Sequence, residues 1–263
     1  FRSEKIWNGY SDTRMGASMD SYLNGYNDPR LPVYFQPVTE GDNKGEYRGV
    51  ANGMPNPQQD DYKAMSAPNV QEKSTDSPLR WMMASEVAFL RAEGAMRGWT
   101  AEMGGTAEEF YNKGIELSFL ENGLSADAAA RYAADETSKP TDFTDVSAAN
   151  TKYNISALGK ITIKWNAGAS EEEQLERIIT QKWIAMFPNG TEAWSEFRRT
   201  GYPLIFPVRS NYPTSGVDTN KQIRRMVFPQ SEYSNNGAAV QEAVKLLGGP
   251  DNGGTKLWWD KKN

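Results

Sequence analysis

The sequence predicts a mostly α-helical protein, with helical hairpins separated by long irregular loops and little strand. Two observations lead to this prediction. Apolar side chains recur at helical spacing in several segments bounded by capping residues. The segments between them are rich in Gly and Pro, of which the chain has 23 and 14. Short connections between neighbouring helices favour antiparallel, tetratricopeptide-like pairs in an α/α superhelical scaffold. No 34-residue period is visible, so a regular repeat array is not predicted.

Each predicted helix has a recognisable start or stop. Capping boxes at Thr106 with Glu109 and at Ser170 with Glu173 open two of them. Thr191 is predicted to cap a third, which Gly201 ends. The predicted helices cover residues 84–98, 107–121, 126–134, 171–186, 192–200 and 237–247.

The remaining segments are predicted to be irregular. Residues 1–37 are rich in aromatic residues, Gly and Asn, and 31–35 is expected to be a short extended piece. A long loop over 38–78 precedes the main helical pairs. Residues 137–169 are predicted to be loop, with a short strand possible at 160–165. A connection as long as 38–78 is usually functional or disordered.

Composition excludes several classes of function. The formal net charge is −5 and the pI is about 5.1, so no basic surface is available to follow a nucleic-acid backbone. The chain has no Cys and no His, which removes thiolate nucleophiles, histidine bases and the metal sites built on either residue. We therefore predict no catalytic residue, no metal and no cofactor.

The chain has no run of about 18 apolar residues that would span a membrane. It shows neither a signal peptide nor a lipidated Cys. Because it opens at Phe1 within what resembles continuing structure, we expect residues 1–263 to be one domain that forms the C-terminal part of a longer chain.

Two acidic motifs have both a chemical and a structural interpretation. Glu86 and Glu93 lie two helical turns apart, about 10 Å along the axis, which loosely fits an inverting glycosidase. The favoured alternative is that Glu93 pairs with Arg97 on the same helix. Asp28 could bind a hard cation, but a brace between Asp28 and Arg30 within a turn is favoured.

Two aromatic motifs are also open to both interpretations. Trp194 and Phe197 are expected to be core residues, with Arg198 and Arg199 joining their helix to neighbouring loops, although the four could form a ligand platform. The pair at 258–259 (WW) is expected to attach the C-terminal end to the scaffold. A sugar platform or an interface anchor is the alternative for this pair.

The best candidates for ligand contact lie in the 38–78 loop. Tyr47, Arg48, Asn52 and Tyr62 combine rings that stack on sugar C–H faces with amide and guanidinium groups that bond hydroxyls. Loops carried by rigid scaffolds are frequent binding sites. The alternative is a solvated connection in which Tyr47 packs against the scaffold.

Several stretches resemble the SusD/RagB family of outer-membrane nutrient-binding lipoproteins of the Bacteroidetes. Each motif is moderately specific alone, but together they follow the family's order over nearly the whole chain. The motifs are residues 14–19 (RMGASM), 28–30 (DPR), 34–35 (YF), 80–82 (RWM), 86–93 (EVAFLRAE), 181–187 (QKWIAMF), 192–203 (EAWSEFRRTGYP) and 225–233 (RMVFPQSEY).

The resemblance implies a fold and a role. Family members have tetratricopeptide-like helical pairs as a scaffold and variable loops that hold ligand. They sit on the cell surface above a SusC-type TonB-dependent transporter and deliver oligosaccharides, or peptides in the RagB-like branch. They are about twice as long as this chain and carry a lipidated Cys, so outer-membrane association would use an anchor outside residues 1–263. The resemblance also implies that the segment before the helical pairs borders the ligand.

Cell-surface glycan binding without catalysis is therefore the favoured function. The alternatives are a peptide-binding RagB-like protein, a glycoside hydrolase using Asp and Glu, and a helical scaffold for protein interactions. Detection of new reducing ends would indicate the hydrolase, and a membrane partner without any bound ligand would indicate the scaffold.

Overall fold

Helices dominate the computed structural model, which describes residues 13–54, 59–69, 81–211 and 215–262. Within these ranges, extended segments meet only at isolated bridges, such as Phe143 with Ile155. The mostly α-helical prediction is thus confirmed. The helices are α1 (Ala17–Gly25), α2 (Leu31–Tyr34), α3 (Gln59–Tyr62), α4 (Ala84–Met96), α5 (Thr100–Met103), α6 (Ala107–Glu121), α7 (Ala126–Ala133), a 3₁₀ helix (Ala148–Tyr153), α8 (Glu171–Ala185), α9 (Gly190–Thr200) and α10 (Gln230–Leu247).

The main core lies between α4, α6 and α8, with α7 packed on the other side of α6. Tyr111, Ile115 and Phe119 of α6 repeat at i,i+4, and all three are fully buried, as their spacing predicts. Gly114 allows α4 to approach closely, because a Cβ atom at this position would lie 2.7 Å from the ring of Phe89. Small residues at the contact therefore set the closeness of the α4–α6 hairpin.

Local capping signals start the helices where the sequence predicts, with one exception. The Thr106–Glu109 box forms in full, and the Ser170 hydroxyl accepts from the Glu173 backbone N–H. The Glu173 carboxylate itself bonds Arg177 instead of completing a box. Helix α9 begins two residues earlier than predicted, because the side chain of Asn189, and not Thr191, caps it. This part of the prediction was wrong.

Residues 13–35 are more helical than predicted. Helix α1 lies where no helix was expected, and most of its side chains are buried. Residues 31–34 form a helical turn and not the expected extended piece. Pro32 stands in the first turn of α2, where its missing N–H and its fixed φ do not disturb a helix.

The predicted short strand at 160–165 is absent from the described structure. Ile161 and Ile163 are buried, but their carbonyls accept hydrogen bonds from tyrosine hydroxyls, and not from a neighbouring strand. Tyr26 donates to the carbonyl of Ile161 at 3.2 Å, and Tyr111 donates to that of Ile163 at 2.5 Å. Tertiary contacts thus satisfy this segment without a ladder.

The final helix is longer than predicted. Helix α10 begins at Gln230, and Asn236, with φ −144°, interrupts it before the predicted stretch of 237–247. Gly248 ends α10 in the left-handed conformation with φ 71°. No helix in the described part of the chain is long and apolar enough to cross a membrane.

Candidate functional site

The described part of the 38–78 loop rests on the start of α1. The backbone N–H of Ala17 donates to the carbonyl of Val50 at 2.9 Å. The loop also has a small apolar core of its own, formed by Val38, Tyr62 and Met65. Residues 38–54 and 59–69 are therefore held to the scaffold at defined points, while the predicted contacts at 55–58 and 70–78, including Asn56 and Gln58, lie outside the described residues.

Arg48 joins the loop to two other segments. Its guanidinium donates to the carbonyl of Thr144 at 2.6 Å and to the side chain of Asn43 at 3.2 Å. The guanidinium also lies 3.7 Å from the carboxylate of Asp20 on α1. Because most of its donors have protein partners, Arg48 mainly holds the loop in place.

Asp20 supports the same loop from below. Its carboxylate accepts from the backbone N–H of Gly49 at 2.6 Å and from the side-chain amide of Asn24 at 2.7 Å. Burial raises the pKa of Asp20, which these hydrogen bonds and Arg48 partly offset. The charged or hydrogen-bonded groups beneath the loop are thus matched to one another.

Tyr62 points into the interior. Its side chain is only 6% exposed, and its hydroxyl donates to Asp145 at 3.1 Å and accepts from the Asn150 amide at 2.7 Å. Burial raises the pKa of Tyr62 to about 12, so the hydroxyl remains a donor to the carboxylate. In this arrangement Tyr62 is engaged by protein groups on each side.

Asn52 is the exposed member of the predicted set. Its side-chain amide makes no hydrogen bond with the described residues, while its backbone carbonyl accepts from the N–H of Arg209 at 2.9 Å. The guanidinium of Arg209 donates to the carbonyl of Tyr153 and lies 5.8 Å from that ring. Together with Phe206, these residues border a shallow depression at the surface.

The structure brings the four predicted residues together only in part. Arg48 and Tyr62 both bond the segment around Asp145, whereas Asn52 lies beside Arg209. Tyr47 is half-buried and packs against the main core, in agreement with the alternative interpretation of its role. Arg209 was not predicted, because it comes from a segment distant in sequence with no local motif. Ligand contact by any of these residues stays a prediction.

The two carboxylates considered as an acid/base pair have different environments. Glu93 accepts from Arg97 at 2.8 Å and from Arg199 at 2.6 and 2.7 Å. Although burial alone would raise it, these partners lower the pKa of Glu93. Burial raises the pKa of Glu86, which lies near the ion pairs of Lys182. The predicted Glu93–Arg97 pair is confirmed, and Glu93 is fully engaged by cations.

The brace predicted at Asp28 is also present. Both side chains are fully buried, and the Arg30 guanidinium donates to Asp28 at 2.6 and 2.9 Å. The Tyr132 hydroxyl donates to the same carboxylate at 2.8 Å. Its oxygens are thus occupied by protein donors, which agrees with the structural interpretation of Asp28.

A larger groove lies elsewhere, between α6 and α7. Its volume is about 680 Å³, and none of the predicted site residues lines it. The rim carries Glu108, Glu109, Glu116 and Asp127, with Lys113 beside them, and alanines of α7 form part of the wall. The sequence suggested no role for this groove, because its two walls are surface positions of separate helices.

Comparison with solved structures finds close matches in fold and sequence. A chitin-binding SusD homologue from Flavobacterium johnsoniae is 43% identical, with a TM-score of 0.89 over 98% of this chain. A SusD-like protein from Bacteroides thetaiotaomicron is 44% identical with a TM-score of 0.90, also over 98% of this chain. A homologue from Bacteroides uniformis is 43% identical with a TM-score of 0.87 over 99%.

The chain spans about half the length of these relatives, since it covers 52% of each of them. Comparison with curated protein sequences finds no match. A family model described as SusD-like, SusD and RagB outer membrane lipoprotein, matches residues 2–260. The helical scaffold, the identity over its whole extent and this match place the chain in the SusD-like family of outer-membrane lipoproteins.

Proposed function

We propose that this protein binds a glycan at the cell surface and delivers it to a SusC-type TonB-dependent transporter in the outer membrane. The observation that carries the glycan role is the 43% identity, over 98% of the chain, with a chitin-binding SusD homologue. The family description as outer-membrane lipoproteins supports the location. The family resemblance of the ordered motifs supports the transporter as partner, with a lipid anchor outside residues 1–263.

The geometry favours Asn52 as the direct ligand contact among the four predicted residues. Its amide is exposed and has no partner in the described structure, so it can donate to one sugar hydroxyl and accept from another. The neighbouring Arg209 adds a guanidinium above the ring of Tyr153. Planar polar groups at a shallow depression suit a sugar chain, which presents hydroxyl pairs along its edge.

Tyr47, Arg48 and Tyr62 have different parts in this proposal. Tyr47 is half-buried, so one side of its ring remains available for stacking against a sugar. Arg48 and Tyr62 hold the loop through Thr144 and Asp145, and their effect on ligand would be indirect. Their substitution should therefore loosen the loop as well as weaken binding.

The test is isothermal titration calorimetry of the intact protein that carries this chain, against a panel of oligosaccharides, chito-oligosaccharides included, and peptides. Asn52→Ala should weaken glycan binding about threefold to tenfold, because one or two hydrogen bonds of about 0.5–1.5 kcal/mol are lost. Asn235→Ala, at an exposed position of α10, is the matched control and should leave the affinity unchanged.

Three results would contradict the proposal. Saturable heat with peptides alone would assign the protein to the peptide-binding branch. New reducing ends after incubation with the glycans would show an enzyme. Equal affinity of the Asn52→Ala and Asn235→Ala variants would remove Asn52 from the site, and silence across the panel by a folded protein would overturn the glycan role.

A further inference from the structure

The structure separates the two tryptophans near the C-terminal end. Trp259 is half-buried, and the guanidinium of Arg198 lies 4.8 Å from its ring. Arg198 also lies 3.6 Å from the ring of Trp194, so it is held between two indoles. Trp259 thus attaches the C-terminal segment to α9, as predicted for the pair. Trp258 does not, because 83% of its surface is exposed.

The exposed ring of Trp258 stands on a fixed backbone. The N–H of Asp260 donates to the carbonyl of Leu257 at 2.9 Å, which closes a turn around Trp258. The Asp260 carboxylate is buried and accepts from Arg224 at 2.5 and 2.7 Å. Lys262 reaches α8 through a bond to Glu172 at 2.6 Å. Because both neighbours in sequence are held, the position of Trp258 costs little entropy when a ligand binds.

An indole this exposed calls for an explanation. Tryptophan is highly buried on average, and a large apolar ring left in water loses the stabilisation that burial provides. The ring is flanked by the exposed Lys261 and the half-buried Lys256, whose ammonium groups can donate to hydroxyls. An apolar face with polar donors at its edge has the character of a sugar-stacking surface.

We propose that Trp258 is a second sugar platform, separate from the Asn52 site, that stacks on another ring of the same glycan chain. This inference rests on the proposed glycan function. The contacts that hold residues 256–262 are with α8, α9 and Arg224, whereas the Asn52 loop is held by α1, Arg209 and the segment around Asp145. Two platforms on different elements favour a long chain over a short one, because the second contact becomes intramolecular.

The experiment is affinity gel electrophoresis of the intact protein in gels that contain soluble glycol chitin, starch, xylan or pectin. Trp258→Ala should weaken retardation by the polysaccharide that retards the wild type about threefold to tenfold, the size expected for one lost aromatic stack. Trp258→Phe keeps a ring and should remain within about twofold of the wild type. Leu246→Ala, at a side chain that is 89% exposed and lacks a ring, is the matched control and should behave as wild type.

The outcomes separate this inference from the function on which it rests. If no polysaccharide retards the wild type, the glycan role and the platform both fail. If the wild type is retarded and Trp258→Ala is retarded equally, the platform alone is overturned. A Trp258→Ala variant with unchanged retardation that no longer recovers a membrane partner would assign the ring to a protein interface instead. Unchanged thermal midpoints of the variants would show that a loss of retardation is not a loss of fold.

Discussion

Glu176 on α8 has one carboxylate oxygen, Oε1, that is buried and has no hydrogen-bond partner among the described residues. Burial raises its pKa from the ordinary 4.5 to about 7, with Glu173 adding to the rise and Arg177 opposing it. The same charge contributes to the raised pKa of Tyr22, whose ring lies on α1. A buried acceptor without a donor is more stable as a protonated acid.

The pH dependence of stability follows from this shift. Because folding raises the pKa of Glu176, its contribution to stability is complete below about pH 4.5 and is lost as the pH rises through about 7. Glu176→Gln keeps a neutral side chain at every pH. The variant should therefore gain stability over the wild type between pH 5 and pH 8, as measured by chemical denaturation at each pH.

Glu171→Gln is the control for this comparison, because Glu171 is exposed in the first turn of the same helix. Its effect should not change in the same way between pH 5 and pH 8. A stability difference between Glu176→Gln and wild type that is constant over this range would show that Glu176 is ionised at both values. The Tyr22 side of the site would then need another explanation for its environment.

At the scale of elements, the α4–α6 hairpin depends on a missing side chain. Gly114 allows the ring of Phe89 to lie against the backbone of α6, and both residues are at the centre of the core. Alanine normally stabilises a helix relative to glycine by about 0.5–1 kcal/mol. Here the steric conflict at 2.7 Å reverses the sign, because Phe89 is fully buried and has no free space to move into.

Gly114→Ala should accordingly lower the free energy of unfolding, by about 1–3 kcal/mol, the usual size for overpacking a core. Gly237→Ala is the matched helical substitution, because a Cβ atom there would meet nothing within 4 Å. It should raise the stability by about 0.5–1 kcal/mol. Urea denaturation of both variants measures the two effects. Equal changes in the two would show that helix propensity, and not contact with Phe89, decides the outcome at Gly114.

The helical elements were predicted well where their signals are local. The Thr106–Glu109 box and the apolar spacing of Tyr111, Ile115 and Phe119 lie within one helix, so their geometry is set by the period of the helix itself. Helix α1 was missed because its buried face includes Asp20 and Ser21, whose burial depends on partners elsewhere. Asn189 was missed as a cap because the loop that places it is irregular.

For the whole molecule, Arg30 is the point at which most of the scaffold meets. Its guanidinium is fully buried and bonds Asp28 before α2, Ser118 of α6 at 2.9 Å and Gln181 of α8 at 3.0 Å. It lies 5.2 Å from the ring of Tyr132 on α7. One cation thus links the first part of the described chain to three helices that are far apart in sequence.

Arg30→Met should lower the free energy of unfolding by about 3–5 kcal/mol, because it leaves the buried Asp28 carboxylate without its cation. Thermal or chemical denaturation measures the loss. Lys113→Met removes the exposed partner of Glu116 on α6 and should have little effect. If both variants unfold alike, the buried pair does not stabilise the scaffold. A double variant in which Asp28 is also replaced by Asn should recover part of the loss, since no buried charge remains unpaired.

The sequence by itself determined the helical class, most helix boundaries and the family, because periodicity, caps and ordered motifs are properties of contiguous residues. It also pointed to the 38–69 loop as a place for ligand, through its mixture of aromatic and amide side chains. Only the tertiary structure decided which of those side chains are available. Tyr62 is buried on Asp145, Asn52 is exposed beside Arg209, and Trp258 faces solvent while Trp259 packs on Arg198. Exposure depends on residues distant in sequence, and no local pattern encodes those contacts.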